Sequence, residues 1–201
     1  MPDPRQFSDC HTPVSEEYLR DHTIRPLQPL SARITIVDYD SQWSRLFQRE
    51  AERIQSIIGD RALRIEHTGS TSIPGLAAKP IIDILLVVTD SSDESEYVPA
   101  LEAAGYQLHI REPEWHEHRM FKGPDTDINL HVFSHGCSEI KRMLAFRDYL
   151  RSHEADRELY ARTKRELAQC YWKYTQDYAD AKTSVIEQIM ARALNSTVSG
   201  S

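Results

Sequence analysis

The sequence predicts an α+β fold, in which a small mixed β-sheet is flanked by helices and followed by a long C-terminal helical segment. Short apolar runs typical of strands cluster in the middle of the chain, and amphipathic helical patterns stand before and after them. The chain has 201 residues, of which 40% are hydrophobic and 27% are charged. These values are typical of one globular domain of ordinary size.

The first half of the predicted domain alternates strands and one helix. Residues 32–37 (ARITIV) alternate as a short strand does. Apolar residues then recur three or four positions apart, which predicts an amphipathic helix over 41–58. Residues 63–67 predict a short strand, 68–78 a turn-rich loop, and 80–88 a buried central strand of almost entirely aliphatic residues.

The second half ends in helices. Residues 109–118 are too polar for a core, so they predict a loop or a hairpin. Tyr, Leu, Ala, Val and Ile residues recur at helical spacing in the last element, and this stripe is typical of a core-facing surface. The other elements are predicted as a loop at 89–95, a helix at 97–104 ended by Gly105, strands at 106–110, 119–122 and 127–133, and helices at 140–151 and 156–194.

The pattern divides the chain into three parts. Residues 1–30 are rich in proline and show no clear period, so they predict an extended N-terminal arm. Residues 31–194 predict a single domain. Residues 195–201 (NSTVSGS) have the composition of a disordered tail.

Composition excludes several classes of function. The net charge of −7 and the pI of about 5.7 argue against a protein that holds nucleic acid by its phosphates, so we expect a small-molecule partner instead. The three cysteines lie far apart and form no CxxC pair, which argues against a disulfide framework or a zinc cluster. No apolar run is long enough to span a membrane and no signal peptide is evident, so a cytoplasmic location is expected.

The residues with the clearest candidate roles in binding or catalysis lie between residues 65 and 88. Asp83 is the one charged residue in the buried strand 80–88, and a carboxylate in such a place needs a partner or a metal ion. The preceding loop offers donors to an anion, because it carries Gly69, Ser70, Thr71 and Ser72. A carboxylate beside a phosphate-binding turn is an arrangement that holds a divalent metal against a nucleoside triphosphate.

The block HTGSTSIPGLAAKPIIDI resembles the signature of the GrpB family, also called UPF0157, in the nucleotidyltransferase-fold superfamily. The segments VDYDSQW, HRMF, NLHVF and LAFRDYLR also resemble the family's pattern, and the similarity covers roughly residues 34–193. The resemblance implies a nucleotidyltransferase-like sheet. It also implies an enzyme that uses Mg²⁺ or Mn²⁺ and a nucleoside triphosphate to transfer a nucleotidyl group to a small acceptor.

The resemblance assigns roles to particular residues. Gly69 and Ser70 correspond to the phosphate-binding pair and Asp83 to the metal-binding and catalytic carboxylate, while Thr71 and Ser72 add phosphate donors. Lys79, as a catalytic or phosphate-binding cation, and Arg119 would neutralise the triphosphate. The superfamily usually places two acidic residues on one strand with a single residue between them. In this chain the positions two before and two after Asp83 are Ile81 and Leu85, so the pair is reduced to one carboxylate. The missing ligand would come from Asp127 or be replaced by His131.

Other interpretations remain open at this stage, and whether the protein is an enzyme is undecided. A chain with one acidic residue in place of the pair could instead be a binding module for a nucleotide or another phosphometabolite. A third hypothesis is a metal-dependent enzyme with a mixed site of His67, Asp83 and His131, against the simpler interpretation that each histidine bonds locally. The polar run 109–118 could also bind a metal, although it is typical of a solvated loop.

Overall fold

The computed structural model describes residues 14–198, with side chains as far as residue 194. It contains a five-stranded mixed sheet, and the predicted α+β class is therefore confirmed. The strands are β1 (Arg64–Thr68), β2 (Ile82–Val88), β3 (Gln107–Glu112), β4 (His118–Lys122) and β5 (Ile128–Ser134). The helices are α1 (Glu16–His22), α2 (Gln42–Ile58), α3 (Val98–Ala103), α4 (Ser138–Ser152), α5 (Glu154–Leu167), α6 (Thr175–Asp180) and α7 (Thr183–Val198).

The strand order is β1-β2-β5-β4-β3, so β5, the last strand in sequence, lies at the centre of the sheet between β2 and β4. β2 and β5 run parallel, with Asp83 opposite Asn129 and Leu85 opposite His131, whereas the other neighbours are antiparallel. This pairing places polar residues of β2 and β5 on one face of the sheet, because side chains alternate between faces along each strand.

The two faces of the sheet are covered by different helices. On one face Ile82, Ile84 and Leu86 pack in the main core together with residues of α2 and α3. On the other face Leu85 and Val87 pack under residues of α4. A further apolar cluster joins residues 73 and 76 to α4, α5 and α7. Asp83 lies on the face that α4 covers, near the start of β2, beyond the apolar contacts that Leu85 and Val87 make with α4.

The N-terminal arm departs from the prediction within the described residues. A helix forms at Glu16–His22, where Ser15 accepts a hydrogen bond from the Tyr18 backbone N–H at 3.1 Å as its N-cap. The chain then follows β3, since the Ile24 N–H donates to the His109 carbonyl at 3.0 Å. Part of the predicted extended arm is thus helical and docked on the sheet edge, while residues 1–13 lie outside the described residues.

Two further element predictions were wrong. Residues 32–37 form no strand but a single bridge, in which Val37 and Ala78 exchange backbone hydrogen bonds of 2.9 Å. The predicted helix over 156–194 is three helices, with breaks at 168–174 and 181–182. In the first break the Lys173 carbonyl accepts a hydrogen bond from the Leu30 N–H at 2.9 Å. Asp177 then caps the restart by accepting from the Tyr174 N–H at 2.8 Å.

The chain's ends and its surface complete the comparison. Helix α7 continues to Val198, past the predicted tail boundary at 195, and residues 199–201 lie outside the described residues. Residues 109–118 form a hairpin, in which β3 extends to Glu112 and β4 begins at His118. Among residues 14–198, no helix combines the length and the apolar character that crossing a membrane requires.

Candidate functional site

The site is built around the contact between Gly69 and Asp83. Gly69 follows β1 directly and has φ 64° and ψ −174°, a backbone conformation accessible to glycine. A Cβ atom on Gly69 would lie 2.1 Å from Asp83 Oδ2. The turn can therefore approach the carboxylate closely only because residue 69 has no side chain.

The hydroxyls that follow Gly69 mostly hold the turn together. Thr71 Oγ1 donates to the Ile81 carbonyl at 3.1 Å, and Ser72 Oγ donates to the Gly69 carbonyl at 2.6 Å. The side chains of Thr71 and Ser72 are thus engaged in the loop itself, contrary to their predicted role as phosphate donors. Ser70 differs, because its Oγ accepts a hydrogen bond of 2.9 Å from Lys164 Nζ.

Asp83 is held by two residues of β5. Its Oδ1 accepts from Asn129 Nδ2 at 2.8 Å and lies 3.8 Å from His131 Nε2. Burial raises the pKa of the Asp83 carboxyl, but its interactions with His131 and Asn129 outweigh burial and leave the pKa below its usual value. Asp83 is therefore ionised at neutral pH, and 28% of its side chain remains exposed to a ligand.

Several lysines lie within electrostatic range of this carboxylate. Lys79, Lys164 and Lys182 each interact electrostatically with Asp83. Lys122 joins them through Asn129, whose Oδ1 accepts from Lys122 Nζ at 2.6 Å. Burial is the largest cause that lowers the pKa of Lys79 and Lys182, and the pKa of Lys182 falls to about 8. Closely placed ammonium groups repel one another, so the site favours an additional anion.

Lys164 is the most deeply buried of these lysines, with 2% of its surface exposed. Its Nζ donates to Ser70 Oγ at 2.9 Å and to the Ala77 carbonyl at 2.6 Å, and it lies 4.6 Å from the centre of the Tyr160 ring. Burial and the neighbouring cations hold the pKa of Lys164 well below its usual value. Lys164 therefore contacts the Gly69–Ser70 turn, and both of its hydrogen-bond acceptors are neutral.

Two predicted site residues lie on the other face of the sheet. His67 is paired with Ile84, stacks on Phe47 at a centroid distance of 4.7 Å, and has Nε2 3.1 Å from Thr71 Oγ1. Buried Arg119 donates from Nε to Glu94 at 2.6 Å. The charge of Asp83 acts on His67 through the sheet, but neither His67 nor Arg119 makes a hydrogen bond or an ion pair with Asp83. The predicted His67–Asp83–His131 metal site and the predicted phosphate contact of Arg119 are therefore not formed.

Asp127 stands at the rim. It is exposed, its carbonyl accepts from the Ile82 N–H at 3.0 Å, and its charge faces Lys79. Among the residues that the structure describes, no group of three or more His, Cys, Asp or Glu side chains could hold a metal ion. Because Mg²⁺ needs several oxygen ligands and lysines repel it, the residues around Asp83 do not fit a metal ion held by protein ligands alone.

Sequence reasoning missed Lys122, Asn129 and Lys164. Lys122 and Asn129 become visible only when β4 and β5 are paired, since they are opposite one another in the register. Lys164 carried a signal, because it stands between Tyr160 and Leu167 on the buried stripe of α5, where a cation is out of place.

The residues around Asp83 lie in the part of the chain that matches known proteins. The family model described as GrpB protein matches residues 33–192. This chain belongs to the GrpB family. A UPF0157 protein of Halalkalibacterium halodurans is 60% identical to it over 190 residues, covering 94% of this chain and 97% of that protein.

Two other matches complete the comparison. The crystal structure of conserved protein GrpB from Enterococcus faecalis covers 81% of this chain and 99% of its own, with a TM-score of 0.72 and 31% identity. The predicted family and its fold are therefore confirmed. A dephospho-CoA kinase of Mycolicibacterium paratuberculosis is 29% identical to this GrpB chain over 174 residues, a match that covers 74% of this chain and 43% of that protein.

Proposed function

We propose that this GrpB protein binds a nucleotide or another phosphorylated small molecule in the cleft around Asp83, as a binding module. The observation that carries the proposal is the convergence of lysines on a single carboxylate beside the Gly69–Ser70 turn. Phosphate groups carry several negative charges, and lysines bind them as point charges.

Lys164 supports an anionic ligand most directly. A buried ammonium group whose hydrogen-bond acceptors are neutral is unfavourable by several kcal/mol, and the lowered pKa of Lys164 expresses this. A phosphate placed near Ser70 would favour the charged form of the amine. An interaction that is unfavourable in the free protein and favourable in the complex is typical of a binding site.

The role of Asp83 separates the proposal from nucleotidyl transfer. In a site that relies on lysines, Asp83 orients them and repels phosphate, so Asp83→Asn should leave anion binding unchanged or stronger. In a metal-dependent transferase, Asp83 anchors the cation, so the same substitution abolishes Mg²⁺-dependent release of pyrophosphate. The contact between the Gly69 turn and Asp83 favours the transferase as the second candidate, with Mg²⁺ or Mn²⁺ arriving on a nucleoside triphosphate.

The test is calorimetric titration with pyrophosphate, tripolyphosphate, ATP and dephospho-CoA, each in EDTA and in Mg²⁺. Dephospho-CoA is included because relatives are named dephospho-CoA kinase. We expect at least one of these anions to bind in EDTA, Lys182→Met to weaken it about tenfold or more, and Lys141→Met to leave it unchanged, because Lys141 is exposed on α4. A wild-type protein that binds none of them in EDTA would overturn the proposal.

The Mg²⁺ arm decides between the candidates. Pyrophosphate release from a nucleoside triphosphate that needs both Mg²⁺ and Asp83 would establish the transferase. A transition metal that copurifies and is lost in His131→Ala would instead establish the histidine-assisted metal enzyme. Binding in EDTA that persists in Asp83→Asn, without either result, is the outcome expected of the module.

A further inference from the structure

The hydroxyl of Tyr178 is buried without a hydrogen-bond partner. Among the residues that the structure describes, Tyr178 Oη is the one buried side-chain nitrogen or oxygen atom that makes no hydrogen bond. Tyr178 belongs to α6, and only 2% of its surface is exposed. Buried polar groups are nearly always paired, because an unpaired one loses its hydration without compensation. The described protein atoms thus leave this hydroxyl free to bond to a ligand.

Tyr178 lies beside the cations of the candidate site. Lys182 Nζ is 4.6 Å from the centre of the Tyr178 ring. The Tyr160 ring lies at the same distance from Lys164 Nζ, and the Tyr160 hydroxyl interacts with Ser70 and, electrostatically, with Tyr178. The remaining neighbours of Tyr178 form an apolar cluster. Its hydroxyl is therefore a polar group at the border between this cluster and the site.

Lys182 is also without a hydrogen-bond acceptor. It follows Tyr178 by four positions, in the turn between α6 and α7. Its Nζ makes no hydrogen bond or ion pair with any residue within the described part of the chain, although its charge interacts with Asp83 and Asp180. One segment of the chain thus brings an unpaired hydroxyl and an ammonium group without an acceptor to the same place.

The surroundings of the Tyr178 hydroxyl favour one kind of partner. Burial raises the pKa of Tyr178, so the hydroxyl keeps its proton at neutral pH and can donate it in a hydrogen bond. Beside the Lys182 ammonium, the acceptor that electrostatics favours is an anionic oxygen. A phosphate group has several such oxygens and can accept from the hydroxyl and from the ammonium at once.

Access to the hydroxyl depends on α6. This helix is short, Thr175–Asp180, and lies between the breaks at 168–174 and 181–182. A short element between two breaks can shift without disturbing the helices on either side of it. The side chain of Lys182 is already partly exposed, so a ligand that contacts Lys182 reaches Tyr178 after a small displacement of α6.

We propose that Tyr178 is a ligand-binding residue of this protein, which donates its hydroxyl to the phosphate group that Lys182 binds. The inference rests on the proposed function, because it adds a donor to the same anion site. It also specifies where the phosphate lies, between the Gly69–Ser70 turn and α6. The Tyr178 hydroxyl is then paired only in the complex.

The test is calorimetric titration of the wild-type protein and Tyr178→Phe with pyrophosphate, tripolyphosphate, ATP and dephospho-CoA in EDTA. Phenylalanine keeps the ring next to Lys182 Nζ and removes the hydroxyl alone. We expect the anion that binds wild type most tightly to bind Tyr178→Phe about tenfold or more weakly, because a hydrogen bond to a charged acceptor is lost. The Tm of the free variant should stay unchanged or rise by about 2–4 °C, because the buried hydroxyl that it removes is unpaired.

Tyr97→Phe is the matched control. Tyr97 is fully buried in the main core, and its hydroxyl donates to the Ser91 carbonyl at 2.6 Å. Loss of this hydrogen bond should lower the Tm and leave anion affinity unchanged. Carbon NMR of labelled tyrosine gives a direct readout: the Cζ signal that is missing from Tyr178→Phe should shift when the same anion is added to wild type.

The outcomes of the two proposals are separable. Absence of binding by all four anions to the wild-type protein in EDTA would overturn the proposed function itself. Binding that is undiminished in Tyr178→Phe, or a Tyr178 Cζ signal that the anion leaves unshifted, would overturn only the inference. A fall in the Tm of free Tyr178→Phe as large as that of Tyr97→Phe would also overturn it, because the hydroxyl would then be paired, for instance with an internal water, before any ligand binds.

Discussion

Replacing Gly69 with alanine should disrupt the site through one identifiable contact. The new Cβ would lie 2.1 Å from Asp83 Oδ2 and 2.8 Å from both Asp83 Cβ and Cγ, so the Asp83 side chain must move. The backbone adds strain, because φ is +64°. Backbone strain of this kind is unfavourable by roughly 1–3 kcal/mol and overpacking by a similar amount. The free energy of unfolding should therefore fall by roughly 2–6 kcal/mol.

Gly59 offers a matched control for the backbone term. It also has a positive φ, +57°, but a Cβ built there meets no atom within 4 Å. Gly59→Ala should therefore lose roughly 1–3 kcal/mol from strain alone. The extra loss in Gly69→Ala, roughly 1–3 kcal/mol, corresponds to a difference in Tm of about 2–12 °C for a domain of this size.

The assay is urea and thermal unfolding of both variants, repeated in an Asp83→Ala background. Removing the Asp83 carboxylate leaves only the 2.8 Å contact with its Cβ, so the second substitution should recover part of the loss in Gly69→Ala and none in Gly59→Ala. Equal losses of unfolding free energy in the two glycine variants would refute the reasoning. Backbone strain would then explain the whole loss in Gly69→Ala, and the close approach of the turn to Asp83 would contribute nothing to it.

Other substitutions separate ligand binding from stability. Lys164→Met should leave the free energy of unfolding within about 1 kcal/mol of wild type or raise it, and it should weaken pyrophosphate binding at least tenfold. Lys141→Met, at an exposed position, should change neither quantity. Calorimetry of both variants checks this, and undiminished pyrophosphate binding in Lys164→Met would contradict it. Arg119→Gln should lower stability by roughly 1–3 kcal/mol, because it removes the 2.6 Å ion pair between buried Arg119 and Glu94, although Glu94 keeps Arg111 as a partner. The variant should preserve pyrophosphate affinity, and reduced affinity in a folded variant would show that Arg119 acts at the site. Burial lowers the pKa of His67 to about 4 from an ordinary 6.5, so its contribution to stability is present above pH 6.5 and is lost as pH falls toward 4, by roughly 3 kcal/mol in total. Urea unfolding at several pH values should find a shallower loss over this range in His67→Gln, and an unchanged slope would contradict the assignment.

The sequence was most informative where a residue was out of place in its local pattern. Asp83 in an aliphatic strand predicted a partner, and its contacts with Asn129 and His131 provide it. The prediction that Asp83 and His131 share a cleft depended on β2 and β5 being neighbours, which the parallel pairing confirms. Gly69 beside a hydroxyl predicted a tight turn, and its positive φ agrees.

What could not be predicted depends on strand order and on long-range backbone contacts. The side to which His67 and Arg119 point follows from the register of β1 and β4 in a sheet whose order the sequence does not specify. In the break after α5, the Lys173 carbonyl accepts a hydrogen bond from the N–H of Leu30, which is more than a hundred residues away in sequence. Helical periodicity within 156–194 contains no information about that contact.

The single carboxylate of β2 is itself a consequence of packing. Leu85, the next residue on the same face, is fully buried among Val87, Phe133 and Ile140, under α4. A second acidic residue at position 85 would place a charge in that apolar cluster, which is unfavourable by several kcal/mol without a partner. Helix α4, which covers this face, is therefore incompatible with a second acidic residue at position 85, the kind of residue that two-metal chemistry uses. Asp83 remains as the one carboxylate of β2, at the end of the strand that faces the cleft. Lys164 of α5 and Lys182 of the turn before α7 interact electrostatically with that carboxylate, so the same elements that cover this face also bring the cations to which we assign phosphate binding.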